Sequence, residues 1–205
     1  MNRRQFLRAT TATVALSSFG GLVPAFAQPK PKRVALIGTG WYGKSALFRL
    51  LQIAPVEVVA LCDVDRNMVA EAAQMVAARQ VSKKTPRTYG DYRQMLKNEE
   101  LDIVHVATPD HWHALAMIAA VQAGADVYVE KPISTDVVEG QAMLAAARRA
   151  NRILAIDFES RYYPGYRQIR DWVAADRIGP VRAVHVEHMW DGHKRSEERR
   201  VGKEC

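Results

Sequence analysis

Cysteine is scarce in this chain of 205 residues, which contains only Cys62 and Cys205. Two cysteines would allow one disulfide in an exported protein. However, Cys205 lies in a terminal segment that we interpret below as foreign to the protein. Cys62 then remains alone at the end of an apolar run, where we expect the thiol to pack in the core and not to react.

Positive charge exceeds negative charge, but little of the excess belongs to the body of the chain. The net charge is +7, and more than half of it comes from the first eight residues and from residues 195–205. The middle of the chain is therefore close to neutral. Because a nucleic-acid-binding protein needs a basic face, we expect no nucleic-acid partner.

Acidic residues and long apolar runs are both absent from residues 1–27. A basic start precedes a mildly apolar stretch over residues 9–23, and Ala25-Phe26-Ala27 offers a small-x-small cleavage pattern. Arg3-Arg4 followed by Phe6-Leu7 resembles a twin-arginine (Tat) export signal. A membrane anchor is the alternative, but the apolar stretch is short and polar for a span. We therefore predict a signal peptide and a periplasmic or otherwise extracytoplasmic protein, exported in the folded state by the Tat machinery.

The last eleven residues, 195–205, lack periodic apolar residues and break the preceding pattern abruptly. Their sequence, RSEERRVGKEC, resembles the translation of a common sequencing-adapter oligonucleotide. A solvated charged tail is the alternative. We expect the coding sequence to be truncated at about Lys194 and the tail to have no biological role.

Short apolar runs and helical patterns alternate over residues 28–156. The apolar runs predict buried strands at residues 34–37, 56–61, 103–107, 127–129 and 153–156. Helices are predicted between them, at residues 41–51, 67–79, 89–96, 110–122 and 136–150. Asp110 is the candidate N-cap of the fourth helix, and Ser134, Thr135 and Asp136 are the candidates for the fifth. This alternation predicts the α/β class, with a Rossmann-type, doubly wound parallel sheet.

Three glycines stand between the first strand and the first helix. Gly38, Gly40 and Gly43 have G-x-G-x-x-G spacing, and Asp63 ends the second strand twenty residues after the last of them. This is the context that a dinucleotide-binding fingerprint requires. The first glycine permits the tight turn, the second lets a pyrophosphate approach, and the third lets helix and strand pack closely. The helix N-terminus attracts the pyrophosphate, and we expect Asp63 to accept hydrogen bonds from a ribose diol.

From Asp157 the pattern changes. We predict a helix over residues 166–175, and residues 181–188 alternate in polarity as in a strand with two different faces. Residues 157–194 are therefore interpreted as the truncated start of a second domain.

Four segments together resemble the Gfo/Idh/MocA oxidoreductases: IGTGWYG, ALCDVD, VATPDHWHALAMIAAVQAGADVYVEKP and RIGPVRAVHV. The family includes glucose–fructose oxidoreductase and inositol dehydrogenases. The resemblance implies a nucleotide-binding domain followed by an α/β substrate domain, here truncated. It also implies an NAD(P)-dependent enzyme that removes hydride from a sugar or polyol hydroxyl, and a homo-oligomer for the full-length protein.

The resemblance also assigns site residues. Lys131 of the Glu130-Lys131-Pro132 motif corresponds to the family lysine that reaches the nicotinamide and the sugar hydroxyl, so it is the predicted catalytic residue. Glu130 is expected to hold Lys131 or to contact the nicotinamide ribose, and Pro132 to follow a cis peptide bond. The full predicted cofactor-binding set is Gly38, Gly40, Trp41, Tyr42, Gly43, Asp63, Thr108, Pro109, His113, Glu130 and Lys131.

The histidines do not form a metal set in this interpretation. His111 and His113 stand two apart at a helix start and point in different directions, so one ion cannot easily bind both. In a strand, His185 and His188 would face opposite sides. His105 lies within a predicted strand, where we expect a packed and hydrogen-bonded side chain.

The sequence leaves alternatives for the cofactor and for the reaction. Asp63 favours NAD over NADP, because a carboxylate repels a 2′-phosphate, while Arg66 leaves NADP open. An NAD-retaining glycosidase, which oxidises its sugar transiently, is the alternative to a dehydrogenase. A non-catalytic nucleotide-binding protein ranks third because Lys131 is present. The family's further catalytic residues, an aspartate and a histidine, fall beyond this chain, so we expect it to bind NAD weakly and to turn nothing over.

Overall fold

The computed structural model describes residues 30–185. The predicted signal peptide (1–27) and the predicted foreign tail (195–205) lie outside the described residues. The chain divides into two compact units, which meet in sequence between Ile156 and Asp157, and each is described by itself.

The first unit is built on one parallel sheet of six strands in the order β3-β2-β1-β4-β5-β6. The strands are β1 (Lys32–Ile37), β2 (Val56–Cys62), β3 (Arg87–Tyr89), β4 (Ile103–Val106), β5 (Asp126–Val129) and β6 (Leu154–Ile156). The connecting helices are α1 (Trp41–Ile53), α2 (Arg66–Arg79), α3 (Tyr92–Asn98), α4 (His113–Gln122) and α5 (Val137–Ala150). The predicted doubly wound α/β fold is therefore confirmed.

Alternate residues of β1 face two separate apolar cores. Val34 and Leu36 pack in a cluster with Leu47 of α1 and with the buried face of α2. Ala35 and Ile37 belong to a second cluster, formed with residues of α3, α4 and α5. Because both faces of the sheet are covered, its central strands β1, β2 and β4 are largely apolar.

The order of the strands reverses at β1, and this reversal decides where a ligand can bind. β1 pairs with β2 on one side and with β4 on the other. The connections from β1 and from β4 therefore leave the sheet in opposite directions, which opens a crevice beyond the carboxyl ends of these strands.

The strand β3 was not predicted from the sequence. Residues 89–96 were expected to be a helix, but Arg87–Tyr89 pair with β2 and the helix begins only at Tyr92. The buried carboxylate of Glu99 accepts hydrogen bonds from Arg87 Nη2 (2.5 Å) and from the Tyr89 hydroxyl (2.6 Å). These tertiary contacts hold a short edge strand whose own side chains carry no apolar pattern.

The N-cap predictions for α4 and α5 differ in outcome, and among the three candidates for α5 the N-cap is Asp136. Asp136 caps α5, since its side chain accepts from the Glu139 N–H at 2.8 Å. Asp110 caps no helix. Residues Asp110–Trp112 form a 3₁₀ turn before α4, and neither this turn nor α4 has a side-chain cap. The prediction for Asp110 was wrong because that turn begins at Asp110 itself.

The second unit contains a 3₁₀ turn at Glu159–Tyr162 and one helix, α6 (Pro164–Ala174). The strand predicted from Val181 is not formed over residues 181–185, and its remaining residues lie outside the described part. A strand needs a pairing partner, and residues 157–185 contain no other strand. Across residues 30–185, no helix has the length and apolar character needed to cross a bilayer.

Candidate functional site

Two of the three motif glycines are required by the protein itself. Gly38 has a φ of +94°, and a Cβ at that position would overlap the carbonyl oxygen of Ala107. A Cβ on Gly43 would overlap the carbonyl oxygen of Gly38. Side chains at these positions are therefore excluded by the packing of β1, α1 and β4.

Gly40 is different. Its φ of −61° suits any residue, and a Cβ there would meet no protein atom within 4 Å. The protein alone thus gives no reason for glycine at this position. The open space lies over the turn, where the fingerprint places a pyrophosphate, so the residues present fit a dinucleotide.

The N-terminus of α1 also favours a dinucleotide at this turn, for an electrostatic reason. Its N-cap is Gly40, no side chain caps it, and its first turn contains no acidic residue. The positive end of the helix dipole is therefore not neutralised by the protein, which favours an anionic group at that point.

Asp63 is tied directly to the glycine turn. Its Oδ2 accepts hydrogen bonds from the Thr39 N–H (2.6 Å) and the Thr39 hydroxyl (2.9 Å). Its Oδ1 accepts from the Asp65 N–H at 3.0 Å. A carboxylate offers about four acceptor positions, so one remains on Oδ1 for a ribose hydroxyl. Thr39 is fully buried and was missed by the sequence analysis, although its place between two motif glycines was the available signal.

The crevice beside this turn has a volume of about 560 Å³, within the range of cofactor sites. It brings together eight of the predicted residues: Gly38, Gly40, Trp41, Tyr42, Gly43, Asp63, Thr108 and Pro109. Trp112, Asp91 and Arg93 also line it and were not predicted. The latter two follow β3, the strand that sequence reasoning did not find.

His113 was predicted to line the cofactor, but the structure does not place it in the crevice. Its side chain is fully buried. Its Nδ1 lies 2.7 Å from the carbonyl oxygen of Pro132, and its Nε2 lies 2.9 Å from the carbonyl oxygen of Thr108. The imidazole thus connects the segment after β4 with the segment after β5, which is a positioning role.

Lys131 and Glu130 follow β5 and also lie outside the crevice lining. Lys131 is exposed, and no hydrogen bond or ion pair of this side chain occurs among residues 30–185. Glu130 is buried and does not bond to it. The peptide bond between Lys131 and Pro132 is cis, as the resemblance implied.

The carboxylate of Glu130 faces His105 instead of Lys131. Glu130 Oε1 lies 3.5 Å from His105 Nε2, within ion-pair distance, yet neither atom makes a hydrogen bond. His105 is buried as predicted, and its ring packs edge-on against Tyr128. The expected hydrogen bond is absent at its Nε2.

Cys62 lies at the edge of the crevice as a buried free thiol. Burial, and then the carboxylates of Asp63 and Asp91, raise its pKa to about 12. The thiol therefore stays protonated at physiological pH. Among residues 30–185, no three His, Cys, Asp or Glu side chains are grouped as a metal site would require.

A doubly wound sheet with a glycine turn and an acidic residue at its switch point defines a dinucleotide-binding domain. Within that class, the chain belongs to the Gfo/Idh/MocA oxidoreductases. The profile of this family, described as an oxidoreductase family with an NAD-binding Rossmann fold, matches residues 32–158. NAD is the cofactor of this domain, which agrees with the sequence prediction.

Individual relatives include two kinds of enzyme. A glycosyl hydrolase family 109 protein of Stenotrophomonas maltophilia is 41% identical over 136 residues, which are 63% of this chain and 29% of that protein. Inositol 2-dehydrogenase 3 of Saccharopolyspora erythraea is 32% identical over 76% of this chain and 44% of that protein. The chain thus spans less than half the length of these relatives.

Solved structures show the same architecture. The crystal structure of myo-inositol 2-dehydrogenase from Lactobacillus plantarum matches with a TM-score of 0.64 at 30% identity. The match covers 74% of this chain and 43% of that one. Both proteins therefore share the fold described here.

Proposed function

We propose that the whole protein is an NAD-dependent oxidoreductase that removes hydride from a hydroxyl-bearing carbon of a sugar or polyol. The observation that carries the proposal is the open space above Gly40, beside the uncapped end of α1. The inositol dehydrogenases among the relatives support a polyol or sugar as the substrate.

In this proposal, the residues of this chain bind the cofactor and orient the substrate. Bound NAD would supply the acceptor for the hydride. The glycine turn and the N-terminus of α1 would hold the pyrophosphate, and Asp63, fixed by Thr39, would hold the adenosine ribose. Thr108 and Pro109 form the wall of the crevice at the end of β4.

Lys131 is proposed as the catalytic residue. It follows β5, whose neighbour β4 ends at the crevice, and the Glu130 N–H bonds to the Val106 carbonyl oxygen at 3.0 Å. Its side chain is exposed, so its ammonium can donate a hydrogen bond to a substrate hydroxyl and stabilise the negative charge that develops on this oxygen, while hydride leaves the same carbon and the hydroxyl proton passes to water. Because Glu130 is turned toward His105, this carboxylate leaves the ammonium unpaired.

A glycosidase is the second candidate, favoured by the 41% identity to the glycosyl hydrolase family 109 protein. Such an enzyme would oxidise its sugar, eliminate the aglycone, add water to the resulting double bond and reduce the ketone with the same bound cofactor. The binding residues would be unchanged, and no free NADH would accumulate.

The two candidates are distinguished with the complete gene product. A dehydrogenase produces absorbance at 340 nm from added NAD⁺ and a sugar or polyol. A glycosidase releases nitrophenol from aryl glycosides without such a change. In either case, Lys131→Met should lower kcat by about 100-fold or more, because general acid–base assistance is lost. Full activity of this variant would exclude Lys131 from catalysis.

Two further features belong to this proposal. The Arg3-Arg4 pattern supports export by the Tat machinery to an extracytoplasmic location, and replacing both arginines by lysine should retain the protein in the cytoplasm. A homo-oligomer is proposed for the full-length protein, to be checked by light scattering of the complete gene product.

A further inference from the structure

A second carboxylate stands next to Asp63 at the same edge of the sheet. Asp63 follows β2, and its N–H bonds to the carbonyl oxygen of Tyr89, the last residue of β3, at 3.1 Å. Asp91 follows two residues later, and both aspartates line the crevice. Their proximity is also visible at Cys62, whose pKa both carboxylates raise.

The arginine that lines the crevice is already paired. Arg93 lines the crevice, and its Nη1 lies 3.4 Å and 3.5 Å from the two carboxylate oxygens of Asp91. Its guanidinium also lies over the ring of Tyr92, 4.8 Å from the centroid. Arg66, the residue that left NADP open in the sequence analysis, does not line the crevice.

We propose that Asp91 is a second specificity-determining residue, which acts with Asp63 to reject a 2′-phosphorylated cofactor. Discrimination of NADP in this fold depends on whether an acid or an arginine faces the 2′ position of the adenosine ribose. Asp91 has two effects on this discrimination. It adds a negative charge beside Asp63, and it offsets the positive charge of Arg93. The inference rests on the proposed cofactor site.

One substitution of Asp91 removes its charge and preserves its structural role. Asp91 is the N-cap of α3, where its Oδ1 accepts from the Arg93 N–H at 2.8 Å. Asparagine is an equally good N-cap. Asp91→Asn therefore removes the charge and keeps the cap.

The test measures binding by the full chain, not turnover. NADH and NADPH are titrated by fluorescence at low ionic strength, first with the unchanged chain. If that chain binds neither nucleotide, the cofactor site itself is refuted. If it binds NADH, Asp91→Asn should raise the affinity for NADPH relative to NADH by about fivefold, and the gain should shrink as salt is added.

Two double variants identify the arginine that attracts the 2′-phosphate once Asp91 is replaced. The gain should shrink in Asp91→Asn/Arg93→Gln, which keeps only the effect of the removed negative charge, and persist in full in Asp91→Asn/Arg66→Gln. A thermal melt of each variant confirms folding. The inference is overturned if a folded, NADH-binding Asp91→Asn shows no change in the affinity ratio, or if the gain is undiminished by loss of Arg93. It is also overturned if the gain depends on Arg66.

Discussion

Thr39 donates two hydrogen bonds, from its N–H and its hydroxyl, to a single carboxylate oxygen of Asp63. The two residues are twenty-four positions apart in the sequence and belong to adjacent strand ends. The acid that is expected to bind the ribose is therefore also a structural part of the glycine turn.

Thr39→Val should weaken both stability and cofactor binding. The valine keeps the shape of the side chain but leaves Asp63 Oδ2 with one donor fewer. We expect a loss of about 1 kcal/mol in the free energy of unfolding and a several-fold weaker NADH affinity. Urea denaturation and fluorescence titration measure the two effects. Thr39→Ser is the matched control and should stay close to the unchanged protein; equal losses in both variants would contradict the role of the hydroxyl.

Gly40→Ala and Gly43→Ala should separate binding from folding. An alanine at Gly40 meets no protein atom, so the protein should keep its melting temperature and lose about tenfold or more in NADH affinity. An alanine at Gly43 overlaps the Gly38 carbonyl and should cost about 1–3 kcal/mol of stability. Unimpaired binding by a folded Gly40→Ala protein would show that the open space does not receive the cofactor.

His113→Leu should destabilise the protein by about 1–3 kcal/mol, because it removes the buried imidazole that lies between the carbonyl oxygens of Thr108 and Pro132. His111→Leu is the control: His111 is exposed, so its replacement should change stability by less than about 0.5 kcal/mol. Chemical denaturation measures both. Similar stabilities for the two variants would argue against the connecting role of His113.

Cys62 should resist alkylation in the folded protein. Its pKa is raised from 9.0 to about 12, so the folded state keeps the proton over a pH range in which the unfolded state releases it. The associated stability is complete below pH 9 and is lost as the pH rises toward 12. Iodoacetamide labelling at pH 8, in a Cys205→Ser background, should be slow until denaturant is added. Rapid labelling of the native protein would show an accessible thiolate.

Local patterns predicted the parts of the fold that depend on local physics. The strand and helix pattern was confirmed for β1, β2, β4, β5 and β6 because each buried strand is an apolar run of its own. Asp136 was confirmed as a cap because capping involves residues within one turn. β3 was missed because it is held by Glu99, twelve residues from Arg87, and by pairing with β2.

For the candidate site too, local features were predicted from the sequence and tertiary contacts were not. Gly38, Gly40, Gly43 and Asp63 were predicted because their spacing follows from the strand–turn–helix unit that they form. The contact of Glu130 with His105, and the burial of His113 between two carbonyl oxygens, were not. Both depend on the pairing of β4 with β5, which brings the segments that follow these two strands side by side.

The sequence by itself determined that this protein folds as a doubly wound α/β domain with a dinucleotide turn, because periodicity and glycine spacing act over a few residues. Only the tertiary structure decided that Thr39 fixes Asp63, that His113 is a connector, and that Asp91 and Arg93 reach the crevice. Those relationships depend on the register of parallel strands, which brings together residues that no local pattern connects.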